Sequence, residues 1–297
     1  MKRLPPFELA QPRSVAEAVA LLIAAGGEGR VLAGGTDLLV DLKLGVARPR
    51  LVVDLQGIPG LGLVERVAGG LRIGALARVD ALAGSAALRA GQRALWQAAG
   101  VLGSPPIRHL ATVGGNLGRG SPASDLLPAL MVHGARATAE GPEGSREIPV
   151  EELPTGPGAT CLGPGEIVTS VLVPNAPERT GAAHQKAGRR GGGWDLALVG
   201  VSASLTLAAD GTVSEARLAL ASVGPMVERA REAEARLRGA SPGEEALASA
   251  AEAAAEESRP VSDFRATADY RRRLTRVLVR RVLCEALEQA RAGGGAR

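Results

Sequence analysis

Apolar and polar positions along the first part of the chain alternate between helix and strand periods. Ser14-Val15-Ala16-Glu17 has capping-box spacing, and the apolar positions behind it predict a helix to about Ala25, closed by Gly26-Gly27. A buried strand is predicted over residues 30–33, a helix over 36–44 and another strand over 51–55. Thr36 suits the N-cap of that second helix, Asp37 its first turn, Lys43 its last turn and Gly45 the left-handed position after it. Further strands are expected over 71–77 and 167–173, the latter stopped by Pro174, and helices over 80–89, 91–102 and 125–133.

After Pro174 the pattern changes. Residues 175–181 read as a linker. Residues 196–208 alternate apolar with small polar side chains, Asp210-Gly211 supplies a two-residue turn, and residues 213–223 return as the partner strand. The remainder is helical. Its last helix, about 267–292, places Val279, Val282, Leu283, Ala286, Leu287 and Ala290 on one stripe and its arginines on a solvated face.

Two glycine pairs stand out against this background. Gly34-Gly35 joins a strand to a helix, and Gly114-Gly115 lies between Thr112 and Asn116. With 40 glycines in 297 residues, Gly-Gly pairs arise from composition alone, so only the surroundings are informative. Strand, glycine loop, helix and strand form a βαβ-like unit whose free amides suit a phosphate. It is not a Rossmann turn, because Gly-x-Gly-x-x-Gly is absent, and it lacks the Gly-Lys-Ser/Thr of a P-loop. Two such loops suggest a ligand with two phosphates held from both sides.

Composition narrows the classes. The net charge of +4 suits an anionic ligand, while the scarcity of aromatics, 2 %, weighs against nucleic-acid binding. Cys161 and Cys284 form no Cys-x-x-Cys and read as buried thiols in a reducing compartment, not as zinc or iron–sulfur ligands. Neither a signal-peptide pattern nor a membrane-spanning apolar run is evident, so a soluble, cytoplasmic protein is expected. His109, His133 and His184 are scattered and form no metal set.

The ordered set of segments resembles the flavin-carrying subunit of the molybdenum hydroxylases, the family of xanthine dehydrogenase and carbon monoxide dehydrogenase. The segments are Leu32-Ala33-Gly34-Gly35-Thr36-Asp37-Leu38-Leu39, Gly103-Ser104-Pro105-Pro106-Ile107-Arg108, Thr112-Val113-Gly114-Gly115-Asn116 and Ser121-Pro122-Ala123-Ser124-Asp125. They continue with Glu166-Ile167-Val168-Thr169-Ser170, Lys186 ahead of Arg189-Arg190, Asp195-Leu196-Ala197, Ser262-Asp263-Phe264-Arg265 and Ala268-Asp269-Tyr270-Arg271.

This resemblance implies an α+β protein. Residues 1–176 would form a two-lobed FAD-binding region of the vanillyl-alcohol-oxidase (PCMH) type, with lobes over about 1–57 and 58–176. Residues 177–297 would form a C-terminal α+β domain with an antiparallel sheet and helices, like that of the carbon monoxide dehydrogenase flavoprotein. FAD would lie non-covalently between the lobes, since the first loop offers no histidine or cysteine for attachment. Its implied contacts are Leu32, Ala33, Gly34, Gly35, Thr36, Asp37, Leu38 and Leu39 on one side, and Thr112, Gly114, Gly115 and Asn116 on the other. Asp125 would hold a ribose or ribityl hydroxyl or cap its helix, Lys186 would stand near the ring, and Leu102 and Val168 would be apolar contacts. Leu196 would lie beside the ring, and Trp194 would anchor the glycine-rich loop 191–193.

The same resemblance implies electron transfer without a substrate-oxidising centre on this chain. The molybdenum cofactor would sit on a large partner subunit and the iron–sulfur clusters on a small one. Electrons would leave to NAD⁺, a quinone or dioxygen. The alternative is a stand-alone FAD-dependent oxidase or reductase of the same fold, which would need an acid, base or tyrosine array over the flavin; Tyr270 is the only tyrosine.

Overall fold

The computed structural model describes residues 3–190 and 195–293; loop 191–193 and Trp194 lie outside the described residues. Strands β1 (Glu8–Ala10), β2 (Gly29–Leu32) and β3 (Leu51–Asp54) make a parallel sheet in the order β1-β3-β2. Helix α1 (Val15–Ala24) starts at Ser14, whose hydroxyl accepts from the Glu17 amide at 3.2 Å. The Glu17 carboxylate returns to the amide of Arg13, one residue before the cap. Ala18 and Val19 then bury against Val53 and Leu55. Helix α2 (Leu38–Leu44) ends at Gly45 with φ 74°, as its spacing predicts. It begins later than predicted. The Leu39 amide bonds back to the Gly35 carbonyl, so Thr36 and Asp37 form a turn and Asp37, not Thr36, becomes the N-cap.

The second lobe opens with β4 (Val64–Val67) and β5 (Gly70–Gly74). The helix expected over 80–89 is two helices, α3 (Val79–Ala83) and α4 (Ala86–Gly91), because Ser85 caps a new one by accepting from the Leu88 amide. Then come α5 (Arg93–Val101), α6 (Pro105–Arg108), α7 (Val113–Arg119) and α8 (Leu126–Val132). The hairpin β6 (Arg136–Gly141) and β7 (Gly144–Pro149), the small pair β8 (Pro154–Gly156) and β9 (Ala159–Thr160), and β10 (Ile167–Pro174) complete it. The sheet is antiparallel in the order β4-β5-β10-β6-β7. Its residues Ile73, Val171 and Ala137 share one core with Leu95, Leu117 and Leu130 of the helices.

The C-terminal part contains β11 (Thr180–Ala187), β12 (Val199–Leu207), β13 (Val213–Ala221) and β14 (Glu228–Arg229), antiparallel in that order. Helices α9 (Arg231–Leu237), α10 (Glu244–Glu257) and α11 (Ala268–Ala292) pack with it. The predicted stripe of α11 is buried throughout. Strand β12 is buried on both faces, although its small polar positions alternate with apolar ones. Helix α11 covers one side and the second lobe's α5 and α8 lie against the sheet on the other. Side chains also cross the junction. Gln97 accepts from the His184 amide at 2.7 Å and donates to Glu285 at 2.6 Å, and Arg229 reaches Glu151 at 2.8 Å. Cys161 is half-buried and Cys284 is exposed, contrary to the expectation of buried thiols. Cys284 follows the buried Val282 and Leu283 and faces off their stripe, beside Arg280 and Arg281.

Buried histidines set the response to acid. Burial, then Arg217, pulls His133 down to about 4; burial, then Lys186, pulls His184 down to about 3. Both stay neutral in the fold, whereas the unfolded chain protonates them below about 6.5. Stability present above that pH is therefore lost as pH falls toward 4 and 3. Asp125, pushed up to about 6 by burial against the pull of Lys186, acts oppositely between about 4 and 6. The histidines outweigh it. Urea denaturation is expected to show roughly 2 kcal/mol less stability at pH 5 than at pH 7.5, with His184→Gln flattening the slope. An unchanged midpoint would remove the histidines from this account.

Candidate functional site

The two lobes face each other across a cavity of about 500 Å³, within the range of about 300–1,000 Å³ usual for small-molecule and cofactor sites. On the first lobe its wall is the loop between β2 and α2. The amides of Gly34, Gly35, Thr36 and Asp37 donate to no protein acceptor among the described residues, and all four residues line the cavity. Consecutive free amides on a concave turn form an anion-binding nest. Helix α2 is only seven residues long, so the loop amides rather than a helix dipole supply the attraction.

The glycines of this loop answer to the opposite lobe. A side chain at Gly34 would fall inside the Leu110 carbonyl. Gly35, at φ 71°, takes a left-handed turn and is packed by Leu32 and Leu39. Those two leucines lie outside the cavity wall and support the turn, while Ala33 and Leu38 line the cavity.

The second glycine pair has a different build from the first. It is the opening turn of α7, capped by Thr112. Its amides are already used: Val113 donates to Ala77, Gly114 to Ala75, Gly115 to the Thr112 hydroxyl and Asn116 to the Thr112 carbonyl. Gly114 is required because a Cβ there would stand 2.6 Å from that of Ala75. Thr112, Gly114, Gly115 and Asn116 nevertheless all line the cavity, so what this side offers is shape and the Asn116 side chain. The Asn116 carbonyl accepts from the Ser124 hydroxyl at 2.6 Å, which turns its NH₂ outward as a donor.

Ser124 also accepts from the Leu127 amide at 3.1 Å and so caps α8. Asp125 therefore makes no capping bond and is free for the cavity. One of its oxygens, Oδ2, accepts from Lys186 Nζ at 2.9 Å; the other, Oδ1, is buried without a partner. An orphaned buried carboxylate oxygen costs of order 1–3 kcal/mol unless something donates to it. Lys186 reaches this position from β11, donates also to the Val101 carbonyl at 2.7 Å, and is 1 % exposed. It stands behind Asp125, outside the cavity wall.

Leu102 and Val168 line the cavity as buried apolar groups, and Leu196 lines it while 57 % exposed. Residues that sequence reasoning left out complete it. Arg119 and Asp41 meet across the lobes at 2.6 Å, Glu166 is held by Arg146 and the Gly163 amide, and Ile107, Leu162 and Ile167 add apolar surface. The Asn116–Arg119 spacing of three on one helix face was the available signal for Arg119. No histidine, cysteine or tyrosine lines the cavity among the described residues.

The residues fit a flavin dinucleotide in their chemistry: an amide nest for phosphate, a carboxylate oxygen awaiting a hydroxyl donor, and apolar walls at either side. The chain matches the family described as FAD binding domain in molybdopterin dehydrogenase over residues 5–176. Over residues 182–286 it matches the CO dehydrogenase flavoprotein C-terminal domain. It is 33 % identical over 287 residues to the 6-hydroxypseudooxynicotine dehydrogenase complex subunit alpha of Paenarthrobacter nicotinovorans, covering 97 % of this chain and 96 % of that protein. It is 34 % identical over 279 residues to the carbon monoxide dehydrogenase medium chain of Hydrogenophaga pseudoflava, covering 94 % and 96 %. A solved carbon monoxide dehydrogenase from Hydrogenophaga pseudoflava superposes with a TM-score of 0.93 at 34 % identity, covering 97 % of this chain and 99 % of the other. Quinoline 2-oxidoreductase from Pseudomonas putida 86 superposes with a TM-score of 0.89 at 26 % identity.

Proposed function

We propose a specific task for this chain, which belongs to the FAD-binding subunits of the molybdopterin dehydrogenases and is thus an oxidoreductase subunit: it transfers electrons between partner chains and an external acceptor. Bound FAD supplies the exchange between one-electron and two-electron chemistry. The chain's residues bind and orient it. The amides of 34–37 hold the pyrophosphate, Thr112, Gly114, Gly115 and Asn116 close the opposite side, and Leu102 and Val168 exclude water from the apolar end. Asp125 accepts a sugar or ribityl hydroxyl on its free Oδ1, fixed by Lys186 from behind. Lys186 offsets the negative charge of that carboxylate.

The observation that carries the reading is the pairing of an unbonded amide nest with an orphaned carboxylate oxygen in one cavity. Residues 1–176 are assigned as the FAD-binding region, completed by Lys186 and Leu196 from the C-terminal domain at 177–297. Its partners are a large subunit holding the molybdenum cofactor and a small iron–sulfur subunit, the acceptor being NAD⁺, a quinone or dioxygen. A cytoplasmic location follows from this assembly; no described helix is long and apolar enough to cross a membrane. A cavity lined, among the described residues, by no histidine, cysteine or tyrosine supports this role over a stand-alone oxidase with a tyrosine or histidine over the flavin.

The test is the absorbance spectrum of the purified chain before and after acid precipitation. Flavin bands released into the supernatant are expected. Bands retained in the pellet would mean covalent attachment and favour the oxidase. A colourless chain that takes up no added FAD would overturn the assignment.

A further inference from the structure

We infer that Arg119 makes the first loop electrostatically acceptable to a pyrophosphate, by neutralising two carboxylates that line the same cavity. The inference rests on the FAD reading above and adds a residue to it. Asp37 carries the last amide of the nest, Asp41 lies one turn further on in α2, and the side chains of both belong to cavity-lining residues. Left alone, they would set two negative charges beside the place where a doubly charged diphosphate must sit, opposing the four amides. Arg119 comes from the other lobe, at the end of α7, and itself lines the cavity. Its Nη1 donates to Asp41 Oδ2 at 2.6 Å and its Nη2 to Oδ1 at 3.4 Å, a forked contact, while Nε stands 4.0 Å from Asp37. The Asp41 side chain is 16 % exposed and the guanidinium side chain 44 % exposed, so the pair is only partly screened and Arg119 keeps an accessible edge.

The same contact also bridges the lobes. A clamp and a neutraliser make opposite predictions for the carboxylate. If Arg119 only clamps, removing Asp41 breaks the clamp and weakens the site. If it neutralises, removing Asp41 takes away what needed neutralising.

The experiment is a titration of the full-length chain, stripped of flavin, with FAD, followed by flavin fluorescence at low salt. Arg119→Gln is expected to weaken FAD binding by about tenfold or more, with the deficit shrinking as ionic strength rises. Arg119→Lys should retain much of the affinity. Asp41→Asn should bind at least as tightly as the unaltered chain, and the double variant Arg119→Gln/Asp41→Asn should recover most of the loss. If Arg119→Gln alone fails to fold, the double variant still decides, since a clamp predicts weak binding for it and neutralisation predicts near-normal binding. Unchanged affinity in Arg119→Gln, or loss in Asp41→Asn without recovery in the double variant, would overturn the inference. Failure of the unaltered chain to take up FAD would instead overturn the reading on which it rests.

Discussion

Replacing Lys186 with methionine is expected to lower the melting temperature by roughly 10 °C and to abolish tight FAD retention in the same variant. The Asp125–Lys186 pair is buried on both sides, and removing one member of such a pair costs about 3–5 kcal/mol because the other charge is stranded. The sign with pH follows from Asp125. Burial already pushes it up to about 6 against the pull of the ammonium, so at pH 7.5 it is ionised and paired. Without Lys186 the carboxyl climbs further, and a carboxylate raised in the fold contributes stability at low pH that is lost as pH rises. The variant's deficit should therefore be larger at pH 7.5 than at pH 5.5. Adding Asp125→Asn removes the stranded charge and should restore most of the stability without restoring flavin retention. Thermal scans at the two pH values, with flavin content measured on each sample, separate these effects. A Lys186→Met chain with unaltered melting would show that the pair carries no energetic weight.

Gly34→Ala is the second large effect. One methyl group is expected to cost about 3 kcal/mol and to empty the flavin site, because its carbon would overlap the Leu110 carbonyl, which is backbone and cannot swing aside. The lobes must separate, and the amide nest loses its wall. Gly35→Ala is the contrast. That residue sits at φ 71° with only the flexible ends of Leu32 and Leu39 nearby, so the cost is the left-handed penalty of about 1–2 kcal/mol. Flavin should be weakened there but not lost. Urea midpoints and flavin content for the two variants check the ordering; equal effects would mean that turn conformation, not contact between lobes, explains both glycines.

Much of the architecture could be read from the chain because its signals are local. The Ser14 capping box, the Gly45 terminus and the α11 stripe each appear where their spacing predicts. What was misread depends on bonds made at a distance. The start of α2 moved because Gly35 accepts from Leu39. The strand β11 begins inside a stretch read as linker because its partner, β12, supplies the ladder. Within the site, the residue types around both glycine pairs were visible, but their separate builds were not. Whether an amide is free depends on Ala75 and Ala77, which lie far back in sequence and carry no distinguishing side chain. Lys186 and Asp125 were each legible as charged candidates for the site; that only Asp125 lines the cavity, with Lys186 behind it, is a property of the packed sheet.

Among its contacts with the cofactor-binding half, the C-terminal part bonds the segment 121–125 twice: Lys186 pairs with Asp125, and the Ser222 amide donates to the Pro122 carbonyl at 2.7 Å. Both fasten the segment 121–125, which is made early in translation, to strands made much later. A nascent chain extended only to residue 176 would have the amide nest but neither of these fastenings. Flavin loading is therefore expected to wait until residues 186 and 222 have been made, and messages truncated before residue 186 are expected to yield products that hold the coenzyme poorly.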